Sequence, residues 1–454
     1  METITGNWVG FGTVFYNEKT GAFSRSIENV IDYANLEIDL TGLAAYLDYG
    51  YAVFGRTPVK HVKYLLPNET LQVQDGKIKI TEQEDSIVDA FGKRSREEDV
   101  LDMIAEKVNV WAGSFEEDIL IPTSGGFDSR LMNIMLREPK RIRAYTYGTS
   151  FKQDCSREVV YAQALSERLG THWQRIDLGK FNSYIPEWYS LYGVSVAASG
   201  TYHMEFYERI SEMENQRKLY LLSGIIGDAW AGAVAIPEVT TPERYVKLGH
   251  THGMSADAAQ AMAIGYQDEL VEPLFEKQKE LLLMPEYRLL TTMRTKMMML
   301  QFLITLPAHY GFDGYSPFLE KDIAMAMLNL APERRANRQW QRDFFRKHHL
   351  LFEEEKYHYT YQNSLNYYAL LHQPLAPLNV SVLREVIRPA YLEWINMMLS
   401  NISRRERIFQ TLMHTPKVKE GLKLLGFKNR LLQAYFAYIT IKPIEIMLLK
   451  RNAT

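Results

Sequence analysis

The sequence predicts an α/β protein in which a parallel sheet carries helices on both faces, preceded by a small β-rich module and followed by a helical region. Three observations predict it. Between about residues 117 and 235, short apolar runs alternate with segments of helical apolar spacing, and strands joined through helix-length connections pair in parallel. Residues 7 to 85 alternate short β-like runs with turn signals. From about residue 255 the pattern is helical, rich in Met, Leu and Tyr, with few strand signals. At 454 residues, 46% apolar and 24% charged, the chain is long enough for two or three domains and has the composition of a soluble globular protein. The expected units are 1–88, 95–350 and 351–454.

In the first unit, "WVGFGTVFY" and "ETLQVQDGKIKI" read as strands, with turns at residues 17 to 21 and at Asp75-Gly76. Between them, "DLTGLAAYLDYGY" reads as a short amphipathic helix capped by Asp39 or Thr41. "DVLDMIAEKVNVWAGS" then begins the second unit as a helix. It is followed by the strand "DILIPTSG", the helix "DSRLMNIML", the strand "RIRAYTYG", the helix "REVVYAQALSERLG" and the strands "WQRIDL" and "KLYLLSG".

Composition excludes several classes. A lone cysteine, Cys155, forms no internal disulfide, and the opening "METITGNWVG" lacks the basic and apolar regions of a secretion signal, so a cytoplasmic protein is expected. Even "LLQAYFAYITIKPIEIMLL" is interrupted by Gln433, Lys442, Pro443 and Glu445, so no transmembrane segment is expected. A net charge of −3 gives no general pull toward nucleic acid, although the tail from Arg404 to Arg451 is locally basic, as a solvated helical face or a docking face for an anionic partner or membrane surface.

The stretch "LIPTSGGFDSRL" carries the chemistry. A parallel strand breaking into small residues and then a helix gathers backbone N–H groups and the positive helix end at one point, which favours phosphate. Thr123, Ser124, Gly125, Gly126 and Ser129 let the backbone approach an anion and add hydroxyl donors. Asp128 inside such a loop would repel phosphate unless a divalent cation lay between them, so it reads as a Mg²⁺ ligand. A tight strand-to-helix turn is the plainer alternative for a bare Ser-Gly-Gly.

"SGGFDSR" resembles the pyrophosphate loop of the ATP pyrophosphatases, a group that includes GMP, argininosuccinate and asparagine synthetases and cleaves ATP between its α and β phosphates. Further motifs are similar to asparagine synthetase-like domains: "AYTYG" followed by "SREVVYAQALSERLGTHW", then "LLSGIIGDAWAGA", then "GFDGYSPFLEKDI". The resemblance covers about residues 30 to 350. It implies that Tyr147, Gly148, Ser223 and Gly224 join the loop in holding ATP, and that Asp228 shares Mg²⁺ with Asp128. A turn or helix cap is the plainer reading of Asp228.

Departures from the family leave the second half-reaction open. Ile225 and Ala229 stand where the family usually carries polar or acidic side chains, and Tyr315 replaces an arginine, while Asp313 keeps a carboxylate. "RDFFR" places Arg342 at the position of a lysine that helps amide formation, with Lys347 as an alternative; either could be a plain surface charge. Glu2 replaces the family's glutaminase nucleophile, so the first 85 residues are expected to be a vestigial module with no glutamine hydrolysis. The resemblance therefore implies a carbon–nitrogen ligase using ATP and Mg²⁺ that adenylates a small-molecule or peptide carboxylate. Ammonia or an amine, supplied by a separate amidotransferase subunit or by the substrate, then displaces AMP. A sugar acid of surface polysaccharide synthesis is one expected substrate. The alternatives are a macrolactam-forming cyclase, resembling lasso peptide cyclases or β-lactam synthetase, and a non-catalytic ATP-binding scaffold.

Overall fold

The computed structural model describes residues 2–74, 76–251 and 255–454, and leaves the side chains of residues 416, 417 and 423 undescribed. Its centre is a five-stranded parallel sheet of β7 (Ile119–Pro122), β8 (Ile142–Thr146), β9 (His172–Arg175), β10 (Leu219–Leu222) and β11 (Phe312–Tyr315), in the order β11-β10-β7-β8-β9. Its middle strands are almost wholly apolar: Ile119, Leu120, Ile121, Ile142, Ala144, Leu219, Leu221 and Leu222 are buried, as expected where helices cover both faces. The α/β expectation is met.

Sequence order places β8 and β9 on one side of β7, and β10 and β11 on the other. The chain therefore switches direction between β7 and β10, and the loops leaving those two adjacent strands diverge at their carboxyl ends. Such a switch point opens a crevice.

β11 departs from the expectation of an all-helical region beyond residue 255. Gly311, Asp313 and Gly314 disguise its apolar pattern, and its pairing partner, β10, lies some ninety residues earlier, with Leu222 opposite Tyr315.

The N-terminal strands form two small antiparallel sheets. One has the order β1 (Glu2–Thr5), β5 (Glu69–Gln74), β6 (Lys77–Glu82); the other places β2 (Phe15–Asn17) between β3 (Phe23–Ser24) and β4 (Val62–Tyr64). The expected long strand from Trp8 shrinks to Phe15–Asn17, because Gly10 and Gly12 adopt left-handed conformations that break the run into turns. The turn at residues 17 to 21 forms, with the Asn17 side chain accepting from the Lys19 and Thr20 amides. In the expected Asp75-Gly76 turn, Asp75 lies outside the described residues. Asp39, rather than Thr41, caps helix Leu40–Tyr49, accepting from the Gly42 amide at 2.9 Å.

One continuous apolar core runs from Val9 to Leu448 and joins all three regions of the chain. Helix Arg430–Ala453 contributes thirteen buried residues from Leu431 to Leu448. It is long and apolar enough to cross a bilayer by length and composition, but 72% of its apolar window is buried inside the protein. Its apolarity serves the core.

Candidate active site

The loop after β7 is shaped by what surrounds it. Gly125 has φ +66°, and a Cβ there would lie 2.3 Å from the Tyr161 Cβ, so no other residue lets the chain turn here. Ser129 Oγ receives the Ser124 amide at 3.2 Å, and Ser124 Oγ receives the Gly126 amide at 3.3 Å. Helix Phe127–Met135 starts at once, with Gly126 as an N-cap that offers no side-chain acceptor. Its first amides thus remain available to an anion.

Behind the loop, Arg130 is completely buried. Its guanidinium donates to the Gly125 carbonyl at 2.6 Å, to the Leu350 carbonyl at 2.6 Å and to both carboxylate oxygens of Glu353 at 3.0 and 3.1 Å. The rings of Phe127, Phe345 and Phe352 pack within 4.6 to 5.1 Å of it. Burial holds its pKa below the usual arginine range against the opposing pull of Glu353. Arg130 ties the loop to a segment 223 residues further along the chain.

Across the switch point, the loop after β10 brings its backbone against the first. A Cβ at Gly224 would lie 2.8 Å from the Asp128 Cβ, so the absence of a side chain permits the approach. Ile226 has φ +58°, a conformation that a β-branched residue adopts only under strain. The turn it makes aims the Asp228 amide at Asp128 Oδ2, 2.8 Å away. Asp128 Oδ1 is enclosed and has no hydrogen-bond donor. Burial, reinforced by the Asp228 charge and opposed by Arg338, pushes the Asp128 carboxyl up to about 8.

A buried acceptor without a donor, beside a second carboxylate, is chemically suited to a hard cation. Among the described residues no group of three or more His, Cys, Asp or Glu side chains gathers to hold a metal. The enclosed Asp128 oxygen, with Asp228 beside it, suits Mg²⁺, which commonly takes one or two carboxylates and fills its remaining positions from phosphate and water.

Two cavities flank the loop. The larger, about 460 Å³, is lined by Thr123, Ser124, Asp128 and Ser129, by Tyr147 and Glu158, by Ser223, Gly224 and Ile225, and by an aromatic wall from His203, Phe206 and Tyr207. The smaller, about 370 Å³, faces the helix start and is lined by Gly126, Arg157, Arg338, Arg342 and Tyr361. Ser124 and Glu158 line both, so the cavities adjoin. Glu158 is fixed by the Thr149 amide. Burial pushes the His203 imidazole down to about 3, leaving it neutral, 3.3 Å from the Tyr147 hydroxyl.

The structure thus brings most of the expected residues together and leaves five outside the two cavities. Asp228 lines neither cavity, although its backbone amide reaches Asp128 from the loop after β10. Gly125 and Gly148 are buried and line neither cavity; they shape the backbone. Asp313 is exposed on β11, level with Tyr220 and short of the strand's carboxyl end, where the crevice lies. Lys347 is exposed on the last turn of helix Gln339–Lys347, outside both cavities, whereas Arg342 faces the smaller one. Ala229 is likewise buried away from the cleft that Ile225 lines.

Arg338 and Arg157 went unread in the sequence. Arg338 follows Asn337 in a left-handed backbone, and its guanidinium lies 4.4 Å from the Phe127 ring. Among the described residues neither Arg338 nor Arg342 pairs with a carboxylate, so two cations face the smaller cavity free. Asn337 is a residue type that favours the left-handed conformation, but nothing local marks Arg338 to follow it there.

No family model matches the sequence, and no curated protein matches it. Among solved structures the chain is similar to an NH3-dependent NAD synthetase from Campylobacter jejuni subsp. jejuni NCTC 11168 in complex with the nitrate ion. The TM-score is 0.25 and the identity 14%, over 46% of this chain and 95% of that one.

Proposed function

We propose that the protein is an ATP-dependent, AMP-forming carbon–nitrogen ligase. The observation that carries this reading is Asp128: a carboxylate oxygen enclosed without a donor, set in a helix-start loop suited to phosphate and facing Asp228 across the switch point. The aromatic 460 Å³ cavity suits the nucleoside and the carboxylate substrate, and the arginine-lined 370 Å³ cavity suits the departing pyrophosphate.

In the first step an oxygen of the substrate carboxylate attacks the α-phosphorus, and the bond to the β-phosphate bridging oxygen breaks, giving an acyl-adenylate and pyrophosphate. The Gly126 end of helix Phe127–Met135 and the hydroxyls of Ser124 and Ser129 bind phosphate oxygens. Arg338 and Arg342 meet the charge that grows on the leaving group. Mg²⁺, held by Asp128 and Asp228, would supply further charge neutralisation. In the second step ammonia or an amine attacks the acyl carbon, AMP leaves with the oxygen that came from the carboxylate, and the amine loses a proton.

The carboxylate donor we propose is a sugar acid or a peptide. One observation favours an intramolecular amine, as in a macrolactam-forming cyclase: Ile225, with Leu303 and Phe206, makes the larger cavity apolar where a small polar nucleophile would need polar contacts. The deciding experiment uses ¹⁸O-labelled carboxylates with ATP and Mg²⁺. Transfer of one ¹⁸O into AMP, with one pyrophosphate per AMP, is the expected result. Tight ATP binding with neither product across a broad panel would leave an ATP-binding scaffold instead.

A further inference from the structure

The helical hairpin at residues 404–427 presents apolar side chains to solvent in a regular pattern. In helix Arg404–Met413, Gln410 and Met413 face inward while Ile408 and Leu412, four residues apart, are exposed. Helix Pro416–Leu424 continues with Val418 exposed, and the chain leaves it through Leu425, also exposed, and Gly426 at φ +81°, with the Phe427 amide reaching back to the Leu422 carbonyl. That turn exposes three apolar side chains together: Leu424, Leu425 and Phe427 are 88%, 75% and 51% exposed. The hairpin is anchored at its base. The Gln410 and Asn429 side chains exchange two hydrogen bonds of 2.7 and 2.8 Å, and Asn429 caps helix Arg430–Ala453.

Charge surrounds this tip. Residues 404–430 contain eight Lys and Arg against Glu406 and Glu420, in a chain whose net charge is −3. Arg404, Arg405, Arg407, Lys419, Lys428 and Arg430 make no ion pair among the described residues. Beside the tip lies a cleft of about 700 Å³, whose lining includes Lys428, Arg430, Arg388, Tyr391, Trp394 and one carboxylate, Asp257.

We infer that this hairpin docks the protein on an anionic lipid surface, with Leu424, Leu425 and Phe427 entering the acyl boundary and the surrounding cations meeting headgroup phosphates. A soluble polyanion would engage the cations and leave the leucines in water. A purely apolar protein partner would have no use for six unpaired cations. Apolar insertion ringed by positive charge satisfies both halves of the surface. In the cleft, Lys428, Arg430 and Arg388 outnumber Asp257, which suits one phosphate headgroup.

The full chain is tested by flotation with vesicles of phosphatidylcholine alone and of phosphatidylcholine with 30% phosphatidylglycerol. Binding to the anionic vesicles alone, weakened by added salt, is expected. The double variant Leu424→Ser, Leu425→Ser should bind at least about tenfold more weakly, with an unchanged melting temperature, because these two side chains are the most exposed of the hairpin; Phe427, whose ring lies 6.3 Å from Phe409, is left in place. The variant Arg404→Gln, Arg405→Gln, Arg407→Gln should lose the salt dependence along with about tenfold in affinity. Equal binding to both vesicle types, no binding to either, or undiminished binding by the apolar variant overturns the inference. So does a change in oligomeric state by that variant without loss of vesicle binding, which would mark the tip as a contact between copies of the chain.

Discussion

Replacing Asp128 with Asn should stabilise the protein without metal while abolishing its chemistry. The carboxyl rises from its ordinary 3.8 to about 8, mainly through burial and secondarily through Asp228. Four pKa units are worth on the order of 5 to 6 kcal/mol against the charged form. The residue as a whole is half-buried, and solvent screening reduces this to about 2 to 4 kcal/mol. Because the folded value lies above the unfolded one, the penalty is absent below about pH 4, grows as the pH rises, and is complete above about pH 8. Urea denaturation in EDTA should therefore show the wild-type protein losing stability from pH 5 to pH 8. The Asn variant, which keeps an acceptor for the Asp228 amide, should lack that slope and be about 2 to 4 kcal/mol more stable at pH 8. Mg²⁺ at pH 8 should restore the wild type and leave the variant unmoved. Parallel pH profiles for the two proteins, with no response to Mg²⁺ in either, would refute the assignment of Asp128 as a cation ligand.

Four further outcomes are expected. Arg130→Met should cost about 3 to 5 kcal/mol in chemical denaturation, because Glu353 is left without its bidentate partner. Gly125→Ala places a Cβ 2.3 Å from the Tyr161 Cβ at a positive φ, and should cost about 2 kcal/mol or more and eliminate ATP binding by calorimetry. Arg338→Ala and Arg342→Ala should each slow pyrophosphate release about 100-fold, and Lys347→Ala should leave it within about twofold. His203, neutral with a folded value of about 3 against an ordinary 6.5, contributes stability that is complete above about pH 6.5 and lost as the pH falls toward 3; His203→Phe should flatten that part of the acid denaturation curve.

Much of the sheet was legible because its strands are buried on both faces and so read as unbroken apolar runs. "ILI" and "LYLL" announce themselves. β11 did not, since "FDGY" sits at the sheet edge and is a strand only because β10 pairs with it. The loop residues were legible for a local reason: strand, small residues, carboxylate and helix follow one another within a dozen positions. The smaller cavity was not. Arg157, Arg338 and Tyr361 come from three separate segments and meet through tertiary packing and a left-handed backbone at Asn337 and Arg338. Asp313 illustrates the converse. A carboxylate in a suggestive motif lies outside both cavities, because its strand ends two residues later.

The clasp of Arg130 also has a bearing on synthesis. The loop it supports is made early, yet the Leu350 carbonyl and the Glu353 carboxylate that receive its charge come 220 and 223 residues later. On the ribosome, a nascent chain carrying the whole phosphate loop still lacks the partner that keeps this guanidinium underneath it. On the proposed reading of the loop, a chain truncated before residue 350 should bind ATP more weakly than the full chain.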